Sequence, residues 1–204
     1  GKITLGTSNS VRMTVLSGGN VGIGTTTPSN RLSISGPSSN QFEIINSANS
    51  KSWRPNVNGN DFYITESGVS NPFVIQAGGN VGIGTTTPSS KLDIEGDLQV
   101  KGVNISNQEN LDVDTGTETI ATVVKATYDA AFFDFVIKNG TNLRAGTVFA
   151  IHDGTNVEFT ETSTNDLGDT SDVILSVDIS GTDMRLRATT TTDNWIIKSL
   201  VRTL

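Results

Sequence analysis

Gly18-Gly19-Asn20-Val21-Gly22-Ile23-Gly24-Thr25-Thr26-Thr27-Pro28-Ser29 recurs letter for letter at Gly78 to Ser89, an offset of 60 residues. The correspondence runs on past the identical core, because Arg31-Leu32-Ser33-Ile34-Ser35-Gly36 aligns with Lys91-Leu92-Asp93-Ile94-Glu95-Gly96. A unit repeated at fixed period does one structural job more than once, which points to a scaffold before an enzyme. Val21/Ile23 and Leu32/Ile34 alternate with Gly and polar residues, so each unit predicts two short strands. Thr-Thr-Thr-Pro lies between them, and Pro cannot donate to a ladder, so the chain must turn or cross there. Strands this short cannot bury their own apolar face. The rows Val21, Ile23, Leu32, Ile34 and Val81, Ile83, Leu92, Ile94 are therefore expected to pack against other copies of the chain.

Around these units the first half is punctuated every eight to twelve residues. Strand-like pieces at Ile3–Leu5, Val11–Leu16, Phe42–Ile45, Phe62–Thr65 and Phe73–Gln76 alternate with turn signals at Gly18-Gly19, Gly36-Pro37, Asn58-Gly59 and Asn71-Pro72. No segment before residue 100 has a 3.6-residue period. The repeats span about 14–36 and 74–96, with a small meander over 40–73 between them. Asp97 to Ile105 alternates strictly and predicts a last strand of this region, ending near residue 106.

The glycine motif, with Trp53, Asn58-Gly59-Asn60-Asp61-Phe62-Tyr63-Ile64 and Phe73-Val74-Ile75 leading into its second copy, resembles the motif of bacteriophage tail fibres and related trimeric surface fibres. Ala150-Ile151-His152-Asp153-Gly154-Thr155-Asn156-Val157, Val177-Asp178-Ile179-Ser180-Gly181 and Val201-Arg202-Thr203-Leu204 resemble a domain of virion structural proteins from marine phages. The resemblance implies a homotrimeric, interlaced, β-prism-like shaft located on a virion as a tail or other external fibre. Its expected partners are further virion proteins and a host surface glycan or protein. A fibre fixed to the capsid, neck or baseplate without a receptor role, or a bacterial trimeric adhesin, is the alternative. Gly1 is not a natural start, so the chain is expected to be a fragment.

Composition divides the chain in the same place. All 5 prolines and 15 of the 21 glycines precede Val103. Residues 1–104 carry 7 basic and 6 acidic groups, a net of +1, whereas residues 105–204 carry 7 basic and 15 acidic groups, a net of −8. An acidic second half lacks the basic footprint of phosphate-backbone binding, so no nucleic acid is expected. The chain has no cysteine, which excludes a disulfide framework and Cys-based zinc sites. No run approaches 18 apolar residues, so no membrane insertion is expected.

The second half, 107–204, predicts an all-β sandwich or jelly roll of about eight strands. Asn139-Gly140, Asp153-Gly154 and Ser180-Gly181 are hairpin signals. Met184, Leu186 and Ala188 point one way, and Arg185 and Arg187 the other. Trp195 alternates with its neighbours as a core residue does.

Chemical motifs are thin. Gly19 and Gly24 have P-loop spacing, but Thr25 stands where the phosphate-reaching Lys must be. GxGxxG fails because Thr27 takes its last position. His152 is the one histidine and sits at a hairpin corner, so a local hydrogen-bonding role is expected and no catalytic residue is assigned. Asp112-Val-Asp114-Thr-Gly116 and Asp166-Leu-Gly168-Asp169-Thr-Ser-Asp172 resemble calcium loops, since alternating carboxylates suit a hard cation. The EF-hand template fails at Val123, and ordinary turn chemistry explains the same residues. No cofactor is expected, and Ca2+ is the one cation these loops could hold. Loops on rigid sheets carry recognition, so Asn165, Asp166 and Asp169 in the polar loop Ser163–Ser171 are the candidate ligand contacts. The chain is expected to be a non-enzymatic component of a phage tail fibre that positions its second half for host attachment.

Overall fold

The computed structural model describes residues 1–7, 10–36, 42–66, 68–69 and 73–204, excepting the side chains of Thr7, Ser10 and Val11. Pro37 and Asn71-Pro72, read as turns, lie outside the described residues. The described chain is all-β, with no helix. It forms two compact units, Gly1–Glu95 and Gly96–Leu204.

The first unit holds two sheets. Strands β1 (Ile3–Thr7), β2 (Ser10–Val15), β3 (Val21–Ile23) and β4 (Leu32–Ile34) form the first, in chain order. Strands β5 (Ile44–Asn46), β6 (Lys51–Asn58), β7 (Asp61–Glu66), β8 (Phe73–Ile75), β9 (Val81–Ile83) and β10 (Leu92–Ile94) form the second, also in chain order. The repeat appears as a three-strand module. β2 and β3 are antiparallel, β3 and β4 parallel, and the same relations hold among β8, β9 and β10.

Parallel neighbours ordinarily need a crossover of a dozen or more residues. Here residues 24–31 suffice, because the crossover lies flat on the sheet. A Cβ on Gly22 would stand 2.5 Å from the Thr25 carbonyl oxygen and 3.4 Å from Pro28 Cδ. On Gly82 it would strike the Thr85 carbonyl and come within 2.8 Å of Val74 Cγ1. Gly24 and Gly84 start the crossover at φ of 72° and 79°, a left-handed conformation costly for any residue with a Cβ. Polar contacts repeat at the same offset. Asn20 Nδ2 donates to the Pro28 carbonyl at 3.1 Å, and Asn80 Nδ2 to that of Pro88 at 3.2 Å. Arg31 Nη1 reaches the Gly18 carbonyl at 3.3 Å, and Lys91 Nζ that of Gly78 at 3.0 Å.

The crossover covers one face, and Thr14 and Gly22 are buried beneath it together with its own Pro28, as are Val74 and Gly82 with Pro88. The opposite face is bare. Paired residues point to the same side of a sheet. The register therefore aligns Ile3, Val15, Val21 and Leu32 in one row and Leu5, Met13, Ile23 and Ile34 in the next. In the second sheet the rows are Val57, Phe62, Ile75, Val81, Leu92 and Pro55, Ile64, Phe73, Ile83, Ile94.

The second unit holds two further sheets. Strands β11 (Leu98–Val100), β12 (Val103–Val113), β13 (Gly116–Val124), β14 (Ala130–Asn139), β15 (Asn142–His152), β16 (Val157–Ser163), β17 (Ile174–Ser180), β18 (Asp183–Thr190) and β19 (Trp195–Thr203) arrange as β11-β12-β19-β14-β15-β16 and β13-β18-β17. Their inner faces share one core that includes Phe133, Phe135, Ile137, Met184, Leu186, Trp195 and Ile197. Burial alternates residue by residue along β14, β18 and β19, as a half-buried pleated strand requires. Arg185 and Arg187 point outward and both grip Asp178, at 2.7 and 3.0 Å. The hairpin turns are Gly140-Thr141 and Gly181-Thr182, one residue later than the dipeptide signals suggest. Only the glycine of each takes positive φ, 59° and 60°, as in a type II′ turn. The segment 97–105, expected to end the first region, instead pairs as β11 and β12 within the second unit's six-stranded sheet, so the units divide at Glu95/Gly96 rather than near residue 106.

Two outcomes test this construction. Gly82→Val is expected to destabilise the first unit by about 1–3 kcal/mol in urea unfolding, the usual cost of overpacking. Gly78→Val, which opens onto free space, should leave the transition nearly unmoved. Thr14 and Val74 occupy equivalent buried positions, and Thr14 Oγ1 has no hydrogen-bond partner. Thr14→Val should therefore raise stability by about 1 kcal/mol, since an unsatisfied buried hydroxyl costs roughly 1–3 kcal/mol.

Candidate functional site

The eight apolar positions of the repeats are all at least partly exposed. Leu32 and Leu92 are 60% and 57% accessible, Ile23 and Ile83 40% and 43%, and Val21, Ile34, Val81 and Ile94 are half-buried. The rows to which they belong extend well beyond them. Ile3, Leu5, Val57, Phe62 and Ile75 are exposed on the same faces. The motif alone did not reveal these additions, because the flanking strands differ in sequence between repeats and only the pairing register aligns them. Apolar surface this contiguous is uncommon on a monomer and marks an interaction face.

The loop after β16 is tied down rather than free. Leu143 and Leu167 exchange both backbone hydrogen bonds, at 2.8 and 2.9 Å, and the Thr164 amide donates to the Ala145 carbonyl at 2.9 Å. Asp166 accepts from the amide and hydroxyl of Thr170, and Asp169 from the amide and hydroxyl of Ser171. Of the three expected ligand contacts, Asn165 alone keeps an uncommitted side chain. It borders a shallow depression of about 360 Å³ with Val136, Leu143, Ala145 and Leu167.

The two acidic loops meet at one turn, residues 191–194. Asp172 accepts from the Thr191 and Thr192 hydroxyls, and Asp114 Oδ1 from the Asn194 amide at 3.4 Å. Asp193 Oδ1 accepts from the Thr115 amide and hydroxyl at 2.8 and 2.6 Å. The hydroxyls of Thr191 and Thr192 hold the Asp172 carboxyl below its ordinary range, and the hydroxyl of Thr115 does the same for Asp193. Asp112 lies exposed beside them. Among the described residues, no three acidic or histidine side chains converge as a metal site would require. The carboxylates act as caps for the loops that bear them.

His152 is likewise fixed. Its Nδ1 accepts the Gly154 amide at 3.0 Å, so Nε2 carries the hydrogen and donates to the Tyr128 carbonyl at 2.8 Å. Sequence reasoning missed the outward face of β14, β15 and β19. There Arg202 lies over the Phe132 ring at 4.9 Å and pairs with Asp134 at 3.0 Å. Phe132 and Phe149 are 5.7 Å apart. Burial pushes the Asp134 carboxyl up, and hydrogen bonds from Thr147 and Arg202 outweigh it, leaving the carboxyl below its ordinary value. Alternation along Phe132, Asp134 and Val136 carried the signal, but these strands come together only through the fold.

No protein-family model and no curated protein sequence matches the chain. Among solved structures it is similar to the tailspike protein of Acinetobacter baumannii phage AM24, at 11% identity and a TM-score of 0.31. The match covers 50% of this chain and 26% of the tailspike, so this chain spans about a quarter of that protein's length. At that score the likeness decides nothing about this chain.

Acid should expose the turn chemistry. The amide and side chain of Asn156 lower the Asp153 carboxyl from 3.8 to about 2. A depressed carboxyl stabilises the fold above its unfolded value, and the contribution disappears as pH falls toward the folded one. Between about pH 4 and pH 2, the urea midpoint of the wild type should fall more steeply than that of Asp153→Asn. Parallel curves for the two proteins would refute this.

Proposed function

We propose that this chain is a structural segment of a phage tail fibre, assembled as a homotrimer through the apolar rows of its first unit and carrying its second unit as the part that meets the host surface. The observation that carries the reading is the pair of modules in which a flat crossover covers one sheet face and leaves the opposite face apolar and open. A single chain would leave Ile23, Leu32, Ile83 and Leu92 in water, together with Ile3, Leu5 and Phe62. Three copies about one axis would turn these rows inward and remove the sheet edges in the same step. The motif resemblance supplies the virion setting, and other virion proteins are the expected neighbours. No catalytic role is assigned.

Sedimentation velocity tests the assembly directly. The wild type should run as a trimer, whereas Ile23→Asp combined with Ile83→Asp should dissociate it, because a carboxylate buried in an apolar interface has no partner. A folded wild-type monomer at micromolar concentration would overturn the assembly. Attachment is tested separately: the purified chain should compete with the parent particle for host cells. If it does not compete while remaining trimeric, a purely structural fibre is the better account.

A further inference from the structure

The second unit contains a polar cleft where a two-sheet core calls for apolar residues. Along the inward face of β12 the series is Asn104, Ser106, Gln108, Asn110, and opposite it on β19 stand Thr203, Val201, Ser199, Ile197. Interior strands of this kind are normally filled with branched apolar side chains. Part of the series has a structural role. Gln108 pairs with Thr122 of β13 like an extra strand residue, accepting its amide at 2.8 Å and donating to its carbonyl at 3.0 Å. Asn110 bonds Glu118 at 2.8 Å. These two side chains fasten β12 to β13, which the backbone ladder does not join.

The other end of the series is not used in this way. There a cleft of about 320 Å³ opens between β12, β13 and β19, with Asp97, Asn104, Ser106, Tyr128 and Thr203 around it. Ser106 and Thr203 are 5% and 2% exposed. Their hydroxyls accept from Gln108 at 3.3 Å and from the Asn104 amide at 3.2 Å, so each retains its own proton to donate. The Tyr128 hydroxyl accepts from Gln99 at 3.4 Å and also keeps its proton. Asn104 Nδ2 donates to one Asp97 oxygen at 3.0 Å, which leaves the other Asp97 oxygen and the Asn104 carbonyl as acceptors. The parts are rigidly mounted. Asn104 is inside a strand, and Tyr128 is held by its own amide to the Val124 carbonyl at 3.2 Å and by His152 at its carbonyl.

We infer that this cleft binds a neutral polyhydroxylated ligand, a sugar residue with unmodified ring hydroxyls. Donors and acceptors are mixed and closely spaced, which suits hydroxyl groups that both give and take hydrogen bonds. Among the described residues no Lys or Arg lines the cleft, and Asp97 contributes negative charge, so phosphate or a sugar acid is disfavoured. The volume accommodates a monosaccharide-sized group. This inference rests on the attachment reading for its setting, and it locates the contact in the cleft instead of the loop at Asn165, Asp166 and Asp169.

The test uses the full chain and calorimetric titration with methyl glycosides of glucose, galactose and mannose, with glucuronate and inorganic phosphate as anionic probes. At least one neutral glycoside should bind saturably, and neither anion should. Tyr128→Phe and Asp97→Asn, each checked for an unchanged melting curve, should weaken that binding about five- to tenfold, the worth of one hydrogen bond. Thr160→Ala, on an exposed strand away from the cleft, should bind like wild type. No saturable binding by any glycoside, tighter binding of glucuronate, or wild-type affinity in both cleft variants would each overturn the inference. Competition for host cells separates the two readings: if both cleft variants compete as well as wild type, the cleft is excluded and attachment stands.

Discussion

The close approach of residues 24–31 to the sheet at Gly22, repeated by residues 84–91 at Gly82, sets the character of the first unit. Once the Thr25 and Thr85 carbonyls lie against these glycines, one sheet face is sealed by the chain's own backbone and Pro28 or Pro88. Nothing of comparable size is left in the repeat to cover the other face. The short crossover that makes the module compact also leaves its other face apolar and exposed. Val, Ile, Leu and Phe occupy the open face, where burial against another surface would gain from their apolar area.

The second unit solves the same problem internally. Its two sheets turn their apolar faces toward each other and share the core from Val113 to Val201. Carboxylates at Asp153, Asp166, Asp169, Asp172 and Asp193 can be spent on capping the turns that carry them. The second half's excess of acidic residues is thus partly a consequence of its many tight connections. Arg185, Arg187 and Arg202 offset some of that charge through Asp178 and Asp134.

Much of this was legible in the sequence, and the failures have physical causes. The repeat, its glycines and its two strands were readable because identical residues face identical steric limits. Alternation in β18 and around Trp195 in β19 was readable because one face of each is wet. The boundary was misplaced because Asp97–Ile105 has the alternation of any half-buried strand, and a pattern of period two does not name the partner strand. Loop 163–171 looked open in sequence. Its anchoring through Leu143 and Leu167 is a contact between residues 24 positions apart, which composition cannot show. The polar series on β12 was hidden for a different reason: Ser106 to Asn110 has the composition of a connection, and only the fold pairs it with β19 and turns its Gln108 and Asn110 toward β13.

That inversion separates two demands which would conflict on one surface. A face that holds copies together must stay apolar at nearly every position, since a single polar exchange there strands an unpaired group in the interface. A surface that meets a variable ligand must tolerate polar exchange. In the first unit the rows from Ile3 to Leu32 and from Val57 to Leu92 are apolar at every position. In the second, the core is complete without the Asn104 end of β12, and the hydrogen bonds of Gln108 and Asn110 hold the adjoining strands in place. At that end the exposed Asp97, unlike the buried Ser106 and Thr203, lies outside the shared core.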